Sequence, residues 1–314
     1  MSSQPYAVVL GGLNMDIAGI SGELYREHDS NIGRITLTDG GVGHNIAQNM
    51  VKLEVPTYLI TVFGDDEFGE ILSRNCRAKG IKLDFAEKVL GKSSSSYLYV
   101  TDGKGDMVSG VNDMAIIKYM TPEFFERRIE FINQSKLCVI DGNLEQESIE
   151  WLADHVTVPL FVDPVSVAKA KRFETVLNRI DTFKPNEIEA ELFTGIKVVD
   201  EETGKKAAQK LVELGVTNAF ISLGEHGIIC ANENDVTSVP ILKSKVVSCN
   251  GAGDCSMATI AWARFFYGET LSLVEVAQLT QAAASITVES IDAVSDYLAV
   301  RTVVKRAQEF NVMD

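Results

Sequence analysis

Short apolar runs alternate with amphipathic segments along most of the chain. Each run ends at a glycine or a polar residue, as buried strands do, and the segments between them carry apolar residues at helical spacing. Strands that alternate with helices indicate βαβ units and a mostly parallel sheet with helices on both faces. The predicted strands are Tyr6–Leu10, Thr57–Phe63, Leu137–Ile140, Leu160–Val162 and Ala219–Ser222; the predicted helices are His44–Leu53, Glu67–Lys79, Pro122–Gln134, Glu147–His155, Lys205–Leu214, Asp254–Tyr267, Leu273–Ser290 and Ala299–Phe310.

Two stretches, Ile17–Thr38 and Ser96–Val111, break this alternation. Both contain strand-like pieces with alternating polar residues, and neither has a helical partner. In the second stretch, Tyr97–Val100 and Met107–Val108 flank a glycine-containing turn, which is typical of a hairpin. These stretches are predicted to form a small separate sheet over the main one. Such a sheet could serve as a lid, a structural flap or a dimer contact.

The composition argues against two classes of partner. The 314-residue chain carries 29 Lys and Arg against 44 Asp and Glu, a formal net charge of −15. Such a surface repels nucleic-acid phosphates and anionic membranes, so we expect binding to neither. No apolar run is long enough to cross a bilayer, and the N-terminus lacks the basic region of a signal peptide. Five cysteines without metal-finger spacing fit reduced thiols, so we expect a cytoplasmic protein.

The segment Gly251–Asp254, with sequence Gly-Ala-Gly-Asp, lies where a loop becomes a helix. The glycines let backbone N–H groups approach a ligand, and the helix N-terminus favours anions. Asp254 could simply cap the helix. It could equally place a carboxylate beside an anion-binding loop, as a phosphoryl group and its attacking hydroxyl would require. The residues alone leave both interpretations open.

Asn14 and Asp16 follow the first predicted strand, at the edge where open α/β sheets bind ligands. A carboxylate with amides such as that of Asn45 can hold vicinal hydroxyls, because each hydroxyl both donates and accepts. The glycines at 40, 41 and 43 permit close approach at a helix start. An Asx-capped turn is the structural alternative.

Asn186 and Glu189 allow two interpretations as well. Their spacing is that of a helix-capping box. The same pair suits support of hydrated Mg²⁺, which keeps most of its waters. The turn after the strand ending at Ser222 means little by itself.

Taken in order, these motifs resemble the ribokinase-like (PfkB) carbohydrate and nucleoside kinases over nearly the whole chain. Any one motif is weak evidence, whereas the ordered set is specific. The set comprises Asn14-x-Asp16, Gly40-Gly41-x-Gly43-x-Asn45, Gly64-Asp65-Asp66-x-Phe68-Gly69, Asp163-Pro164, Lys184-Pro185-Asn186-x-x-Glu189, Ser222-x-Gly224-x-x-Gly227 and Gly251-Ala252-Gly253-Asp254.

The resemblance implies a three-layer α/β/α ribokinase-like fold with a mostly parallel central sheet and a small β-sheet lid. It implies one domain over residues 1–314, with lid segments at about 17–38 and 94–112. Within the family the chain is most similar to the pseudouridine kinases. The stretches that carry this similarity are Asp29–Arg34, Gly40–Asn49, Ser95–Leu98, Val111–Met114 and Phe161–Ser166.

The activity implied is ATP-dependent phosphorylation of the 5′-hydroxyl of pseudouridine, in a homodimer formed through the lid sheet. A kinase for ribose, another sugar or another nucleoside is the nearer alternative, and a non-catalytic nucleoside sensor the farther one. The resemblance assigns Asp254 as base with Gly251, Ala252 and Gly253 as anion hole; Asn14, Asp16, Gly40, Gly41, Asn45, Ser94 and Lys169 to the substrate; Asn186, Ser222, Gly224 and Gly227 to ATP; and Glu189 to Mg²⁺, through water.

One departure concerns potassium. Many relatives that a monovalent cation activates carry an aspartate a few residues before the anion-hole loop. This chain has Ser248–Asn250, without a carboxylate, in that stretch. The departure argues against potassium activation, although backbone carbonyls could still form a weak site.

Overall fold

The computed structural model describes residues 4–22 and 25–312, and its largest element is an eight-stranded central sheet. Strands and helices are numbered in chain order. The strand order across the central sheet is β14-β13-β12-β11-β10-β9-β1-β4. Its members are β1 (Ala7–Leu10), β4 (Thr57–Ile60), β9 (Cys138–Asp141), β10 (Leu160–Asp163), β11 (Thr182–Phe183), β12 (Asn218–Ser222), β13 (Ile228–Ala231) and β14 (Val236–Val239).

From β4 across to β12, every neighbouring pair of strands is parallel, and only β13 and β14 add antiparallel pairs at one edge. The prediction of a mostly parallel sheet is confirmed. The carboxyl ends of the parallel strands therefore meet at one edge, where ligands bind in folds of this kind.

Helices cover both faces of the central sheet. Successive side chains of a strand point to opposite sides, so strands that are apolar throughout present two apolar faces that must both be buried. Val9 packs into a core with α1, α2, α9, α10 and α11, whereas Val8 packs into a second core on the other face. The predicted three-layer arrangement is confirmed. The helices are α1 (Val42–Lys52), α2 (Glu67–Ala78), α3 (Pro122–Glu126), α4 (Ile129–Asn133), α5 (Gln146–His155), α6 (Val167–Ala170), α7 (Glu187–Thr194), α8 (Glu201–Glu213), α9 (Ala252–Tyr267), α10 (Leu273–Val288) and α11 (Val300–Ala307).

Two predicted elements are each divided in the structure. The predicted strand Thr57–Phe63 is β4 followed by β5 (Val62–Gly64), which pairs with β6 (Glu87–Val89) in a sheet of its own. The predicted helix Pro122–Gln134 is two short helices, α3 and α4. Arg128 divides them: its side chain donates to the carbonyl of Phe124, at 2.6 Å, and this carbonyl would otherwise accept a helical N–H.

A separate four-stranded sheet, the lid sheet, has the order β3-β2-β7-β8. Two of its strands form the predicted hairpin, and the strands extend a few residues past the predicted segments. Residues 23 and 24 of the first predicted segment lie outside the described residues. The strands are β2 (Asn14–Ser21), β3 (Gly33–Gly40), β7 (Ser95–Thr101) and β8 (Met107–Asp113).

The two faces of the lid sheet differ in character. Leu37, Ile17, Leu98 and Val111 are direct neighbours across its four strands, and so they share one face. Leu37 and Val111 are exposed by 55% and 63%. This face of the lid sheet is therefore apolar and open to solvent at Leu37, Leu98 and Val111, whereas Ile17 packs against the core. Over the part of the chain that the structure describes, no helix combines the length and the apolar character needed to span a membrane.

Candidate active site

A cavity of about 670 Å³ lies between the lid sheet and the helices that begin at the edge of the central sheet. It gathers residues from distant parts of the chain that the sequence analysis singled out. Gly40, Ser94, Ala252 and Gly253 are not among the residues that line it. The predicted site residues that do line it are Asn14, Asp16, Gly41, Asn45, Lys169, Gly251 and Asp254.

Glycines allow the loop before α1 to lie against the start of the lid strand β2. Gly41 has a φ of 99°, and a Cβ there would lie 2.6 Å from the carbonyl oxygen of Gly12. A Cβ at Gly40 would lie 2.2 Å from a carboxylate oxygen of Asp16. Any larger residue at either position would displace Asp16 or the loop.

Asn14 and Asp16 lie within β2, and not in an Asx-capped turn. Their side chains point to the same face of the strand, where the amide of Asn14 donates to the Asp16 carboxylate. Burial raises the pKa of Asp16 to about 6, although the hydrogen bond from Asn14 opposes the shift. The pair presents an amide and a carboxylate to the cavity, the donor and acceptor set that a diol needs.

Helix α9 begins beside this pair with Gly251 as its N-cap, in the left-handed conformation with φ 77°. A Cβ at Gly251 would lie 1.9 Å from the carbonyl oxygen of Ala293, so glycine is required there. No side chain caps the helix, and Asp254 lies in its first turn. The first N–H groups of a helix have no partner within it, so this end can bind an anion.

Asp254 is held from α1. Asn45 donates through Nδ2 to Oδ2 of Asp254 at 2.8 Å. Burial raises the pKa of Asp254 and the nearby Asp163 carboxylate adds to the shift, while Asn45 and Lys184 oppose it; the resulting pKa is about 7. A carboxylate with such a pKa can accept a proton near neutral pH.

Lys184 and Asp163 form a buried ion pair that the sequence analysis quoted only within motifs. Nζ of Lys184 lies 3.0 Å from Oδ2 of Asp163, and both side chains are almost inaccessible. A Cβ built on Gly253 would lie 3.6 Å from the same Nζ. Burial alone would lower the pKa of Lys184, but the surrounding carboxylates, Asp163 first, raise it above its ordinary value. A permanent positive charge therefore lies beside the start of α9.

Asp141, at the end of β9, is another residue that sequence reasoning missed. Its Oδ2 accepts N–H groups of Gly12 and Gly43, at 2.9 and 2.8 Å, and so ties the loop after β1 to the start of α1. Asn143 donates to the same carboxylate, and Lys169 in turn donates to Asn143 at 2.6 Å. Lys169 thus reaches the cavity on a buried polar chain.

The polar groups of Ser94 bond to Asp66 and Gly64 and do not line the cavity. Its hydroxyl donates to Asp66 at 2.6 Å and accepts from the backbone N–H of Gly64 at 2.9 Å. Its own N–H also donates to Asp66. These bonds attach the first residue before β7 to the start of α2, and they leave Ser94 out of the group of cavity residues.

The lid contributes cavity residues that were not predicted. Tyr97 and Tyr99 stack on each other with centroids 5.4 Å apart, and both line the cavity. Asn112 is the direct cross-strand neighbour of Tyr97, on the same face. Val165, in the loop after β10, lines the opposite wall with a φ of 69°, which is strained for a β-branched residue. Tyr97, Asn112 and Val165 lie in stretches that carry the resemblance to pseudouridine kinases, but the sequence analysis assigned no role to any of the four residues.

Asn186 and Glu189 form the capping box of α7, as their spacing predicts. The Glu189 carboxylate accepts the backbone N–H of Asn186 through one oxygen, Oε2. Ser222 is bridged to Asn186, which joins the ends of β11 and β12. The turn after Ser222 contains Gly224 and Gly227, both with positive φ. The predicted nucleotide residues are therefore adjacent in space.

A second cavity, of about 730 Å³, lies beside this turn. Its walls include Val198, Leu223, Ile229 and Pro240, and carboxylates such as Glu225 lie among them. Among the described residues, no group of three or more His, Cys, Asp or Glu side chains is arranged to hold a metal ion.

Residues 4–298 match the pfkB family of carbohydrate kinases, and the chain belongs to this family. A relative is the pseudouridine kinase of Escherichia coli K12, which is 37% identical over 83% of this chain and 84% of its own length. The deoxyribokinase of Salmonella typhi is 27% identical over 71% and 73%. A solved carbohydrate kinase from Agrobacterium tumefaciens, 25% identical, superposes with a TM-score of 0.84 over 97% of both chains. The chain is therefore a kinase with the ribokinase-like fold.

Proposed function

We propose that the chain transfers the γ-phosphoryl group of ATP to the 5′-hydroxyl of pseudouridine, giving pseudouridine 5′-phosphate and ADP. The observation that carries the phosphoryl transfer is the position of Asp254. Its carboxylate faces the lid-covered cavity from the first turn of α9, beside the N–H groups of 252–254. Within the described residues, only that of Ala252 among these three donates to a backbone carbonyl, that of Cys249, over a long 3.4 Å. A proton acceptor and an anion site thus occupy one helix end, as transfer to an alcohol requires.

Asn14, Asp16 and Asn45 would hold the ribose 2′- and 3′-hydroxyls. All three line the cavity, and the Asn45 amide also bonds Asp254. A sugar gripped by this set places its 5′-hydroxyl toward Asp254. Because binding already fixes the two reacting groups relative to each other, most of the entropic cost of bringing them together is paid before the chemical step.

Asp254 then accepts the proton of the 5′-hydroxyl as its oxygen attacks the γ-phosphorus, and ADP leaves. The N–H groups of 251–253 stabilise the charge on the phosphoryl oxygens. We add Lys184 to this group, because its buried ammonium lies beside Gly253. The charge is fixed before the reaction, so no solvent needs to reorganise around it.

ATP would lie along Asn186, Ser222, Gly224 and Gly227. The apolar walls of the second cavity fit a purine, whereas its carboxylates would repel phosphates. Glu189 fits a hydrated Mg²⁺, because the capping box uses only Oε2 and a carboxylate has two oxygens with several lone pairs. Bound Mg²⁺ would neutralise phosphate charge. Because Ser248–Asn250 lacks a carboxylate, we do not include potassium in the proposal.

The lid supports a nucleoside in preference to a free sugar. Tyr97 and Tyr99 offer aromatic surface for a base, and Asn112 offers an amide beside them. Pseudouridine carries one more ring N–H than uridine, and we propose that Oδ1 of Asn112 accepts it. Lid closure over the base would exclude water and so limit wasteful hydrolysis of ATP.

A kinase for another sugar or nucleoside is the second candidate, because the polar groups around Asp16 and Asn14 suit any vicinal diol. The test is ADP release in a coupled assay with Mg²⁺-ATP and pseudouridine, uridine, cytidine, adenosine, inosine, deoxyribose or ribose as acceptor. Strongest turnover on pseudouridine supports the proposal. Strongest turnover on another acceptor would leave the proposed mechanism standing but reject pseudouridine as the substrate. Binding of pseudouridine without turnover on any acceptor would indicate a nucleoside sensor.

A further inference from the structure

His44 is fully buried in the first turn of α1, directly before Asn45. Its Nδ1 lies 3.2 Å from Oδ1 of Asn45, and Nδ2 of Asn45 donates to Asp254. Three side chains therefore form a polar chain that ends on the carboxylate facing the cavity. Neither the proposed ribose contacts nor the proton transfer uses the imidazole.

The direction of each hydrogen bond in this chain is fixed by the carboxylate at its end. An ionised Asp254 accepts only, so the amide of Asn45 must turn its nitrogen toward Asp254. Its oxygen then faces His44, and an oxygen can be satisfied there only by a donor. Nδ1 of His44 must therefore carry the hydrogen. Rotation of the Asn45 amide by half a turn would set two acceptors against each other at Asp254.

We propose that His44 is a positioning residue that, as its neutral Nδ1–H tautomer, fixes the amide of Asn45 and through it the carboxylate of Asp254. The proposal rests on the proposed role of Asp254 as the base. In this arrangement the imidazole never touches substrate or phosphate. Its contribution is to keep one acceptor oxygen of Asn45 occupied, so that the nitrogen of the same amide stays on Asp254.

The surroundings of His44 keep it neutral. Lys79, directly after α2, and Asp39 on β3 form an ion pair, with 2.8 Å between Nζ and Oδ2, and they are the charged groups that act on the ring. Burial lowers the pKa of His44 to about 4, with the charge of Lys79 adding to the shift and Asp39 opposing it. Its Nε2 has no hydrogen-bond partner within the described part of the chain. A neutral ring carries a single N–H, and the acceptor oxygen of Asn45 places it on Nδ1.

The groups that set the protonation of Asp254 are Asp163 on β10, Asp141 on β9, Lys184 and Asn45. Of these, only Asn45 is neutral, and its amide could act on Asp254 through either its nitrogen or its oxygen. Because its hydrogen bond favours the ionised carboxylate, its loss would raise the pKa of Asp254. The base would then be protonated over a wider range of pH.

Three substitutions separate positioning from packing. The side-chain nitrogen of asparagine matches Nδ1 of histidine in its distance from the backbone, whereas that of glutamine matches Nε2. We expect His44→Leu and His44→Gln to lower kcat about tenfold, the equivalent of one neutral hydrogen bond, because the bond lost is that from His44 to the amide of Asn45. The acidic limb of the kcat/KM profile should move to higher pH, with KM for ATP unchanged. His44→Asn should recover most of the activity and the native pH profile.

Asn49→Leu is the matched control, because Asn49 is also fully buried on α1 and its amide has no partner within residues 4–22 and 25–312. It should change the melting temperature without moving the pH profile. The tautomer is measured independently of turnover, by ¹⁵N NMR of histidine-labelled native protein, with His44→Asn to assign the signal. We expect the Nδ1–H form, the less common one in solution.

Each readout can overturn the inference by itself. An Nε2–H signal for His44 would show that it cannot donate to Asn45, whatever the enzyme phosphorylates. A native pH profile in His44→Leu, or a failure of His44→Asn to restore one, would leave only a packing role. If pseudouridine is not a substrate, the same profiles are measured with the acceptor that is, so the two proposals fail separately.

Discussion

Asn45 and Asp254 are 209 residues apart in the chain, and a 2.8 Å hydrogen bond joins the first turns of the helices that carry them. Each of these helices begins at a glycine with positive φ and has no side-chain cap. The positive ends of both helices therefore lie near the Asp254 carboxylate, and that of α1 also binds Asp141 through the N–H of Gly43. The arrangement favours negative charge in the cavity, as a phosphoryl acceptor site requires.

Asp254→Asn should abolish most of the turnover while nucleotide binding persists, because asparagine keeps the shape but cannot take a proton. Loss of a general base lowers the rate by about 10²- to 10⁴-fold. In the native enzyme, kcat/KM should rise with pH through about 7, the pKa of Asp254. Coupled ADP release over a pH series measures both, with nucleotide binding by calorimetry as the control. A variant with near-normal turnover would exclude Asp254 as the base.

Asp254→Asn should also make the protein more stable in alkaline buffer. The folded-state pKa of about 7 lies above the unfolded value, so the folded protein holds a proton that the unfolded chain has released. Stability is therefore lost as pH rises from the unfolded value, near 4, through the folded one. The variant does not ionise, and its advantage in melting temperature should grow between about pH 4 and about pH 7 and then level off. Asp292→Asn, at an exposed site, is the control, and a constant difference would contradict the shifted pKa.

Lys184→Met should remove both stability and activity, whereas a second change should restore only stability. Loss of Lys184 leaves Asp163 buried without its partner, which typically lowers the free energy of unfolding by about 3 to 5 kcal/mol. Adding Asp163→Asn removes that charge and should recover part of the loss. Turnover should stay low in the double variant, because no cation then lies beside Gly253.

Urea unfolding and ADP release on the four proteins of this cycle are the measurements. Lys206→Met is the matched control, since it breaks an exposed pair with Glu202 and should change the unfolding free energy by less than about 1 kcal/mol. Full activity in the double variant would remove Lys184 from the catalytic group and leave the ion pair as a structural element.

Asn112→Leu should reduce the preference for pseudouridine over uridine. A site built to pair a substrate N–H rejects an analogue that lacks it, and truncation removes that discrimination. We expect kcat/KM for pseudouridine to fall about tenfold, one hydrogen bond, with little change for uridine. Ser109→Ala, on the same strand, is the control because its cross-strand neighbour is Val100 and Ser109 does not line the cavity. An equal fall for both nucleosides would assign Asn112 to general packing.

Leu98→Glu should weaken self-association. Leu98 lies in the row of Leu37, Ile17, Leu98 and Val111 on the open face of the lid sheet. An exposed apolar face of this kind suits an interface between two copies of the chain. Sedimentation velocity should show a dimer for the native protein and a monomer for the variant. The control is Ile291→Glu, because Ile291 is 72% exposed and lies outside the lid sheet; it should leave the dimer intact. A monomeric native protein would refute the predicted dimer.

Five of the six parallel strands of the central sheet could be predicted, because each is buried on both faces and appears in the sequence as an apolar run. The sixth, β11 (Thr182–Phe183), has only two residues and was missed because it is too short to give such a run. The division at Arg128 could not be predicted, because it depends on a side chain that takes the carbonyl of Phe124. The two interpretations of Asp254 could not be separated locally either. The residue that holds its carboxylate comes from α1, and only the folded chain brings it there.

The fate of single motif residues also depended on long-range contacts. Glu189 forms the capping box that its spacing predicts. Lys184, two residues before Asn186, becomes an active-site candidate only because Asp163 and Gly253 lie beside it. Ser94 lies near a hairpin that lines the cavity, yet Asp66 takes its hydroxyl. Spacing along the chain therefore predicts helix caps well, but it does not predict which side chains meet at the edge of the sheet.

Strand β2 is both a lid strand and the carrier of Asn14 and Asp16. Only Gly11–Leu13 separates it from β1 in the central sheet. If the lid sheet opens to release product, Asn14 and Asp16 would move away with the cover, and the proposed release of product and loss of these two ribose contacts would be one event. On this proposal, substitutions in the eight residues of β2 would alter both product release and sugar recognition. A substitution in β2 that speeds product release would therefore be expected to change sugar recognition as well.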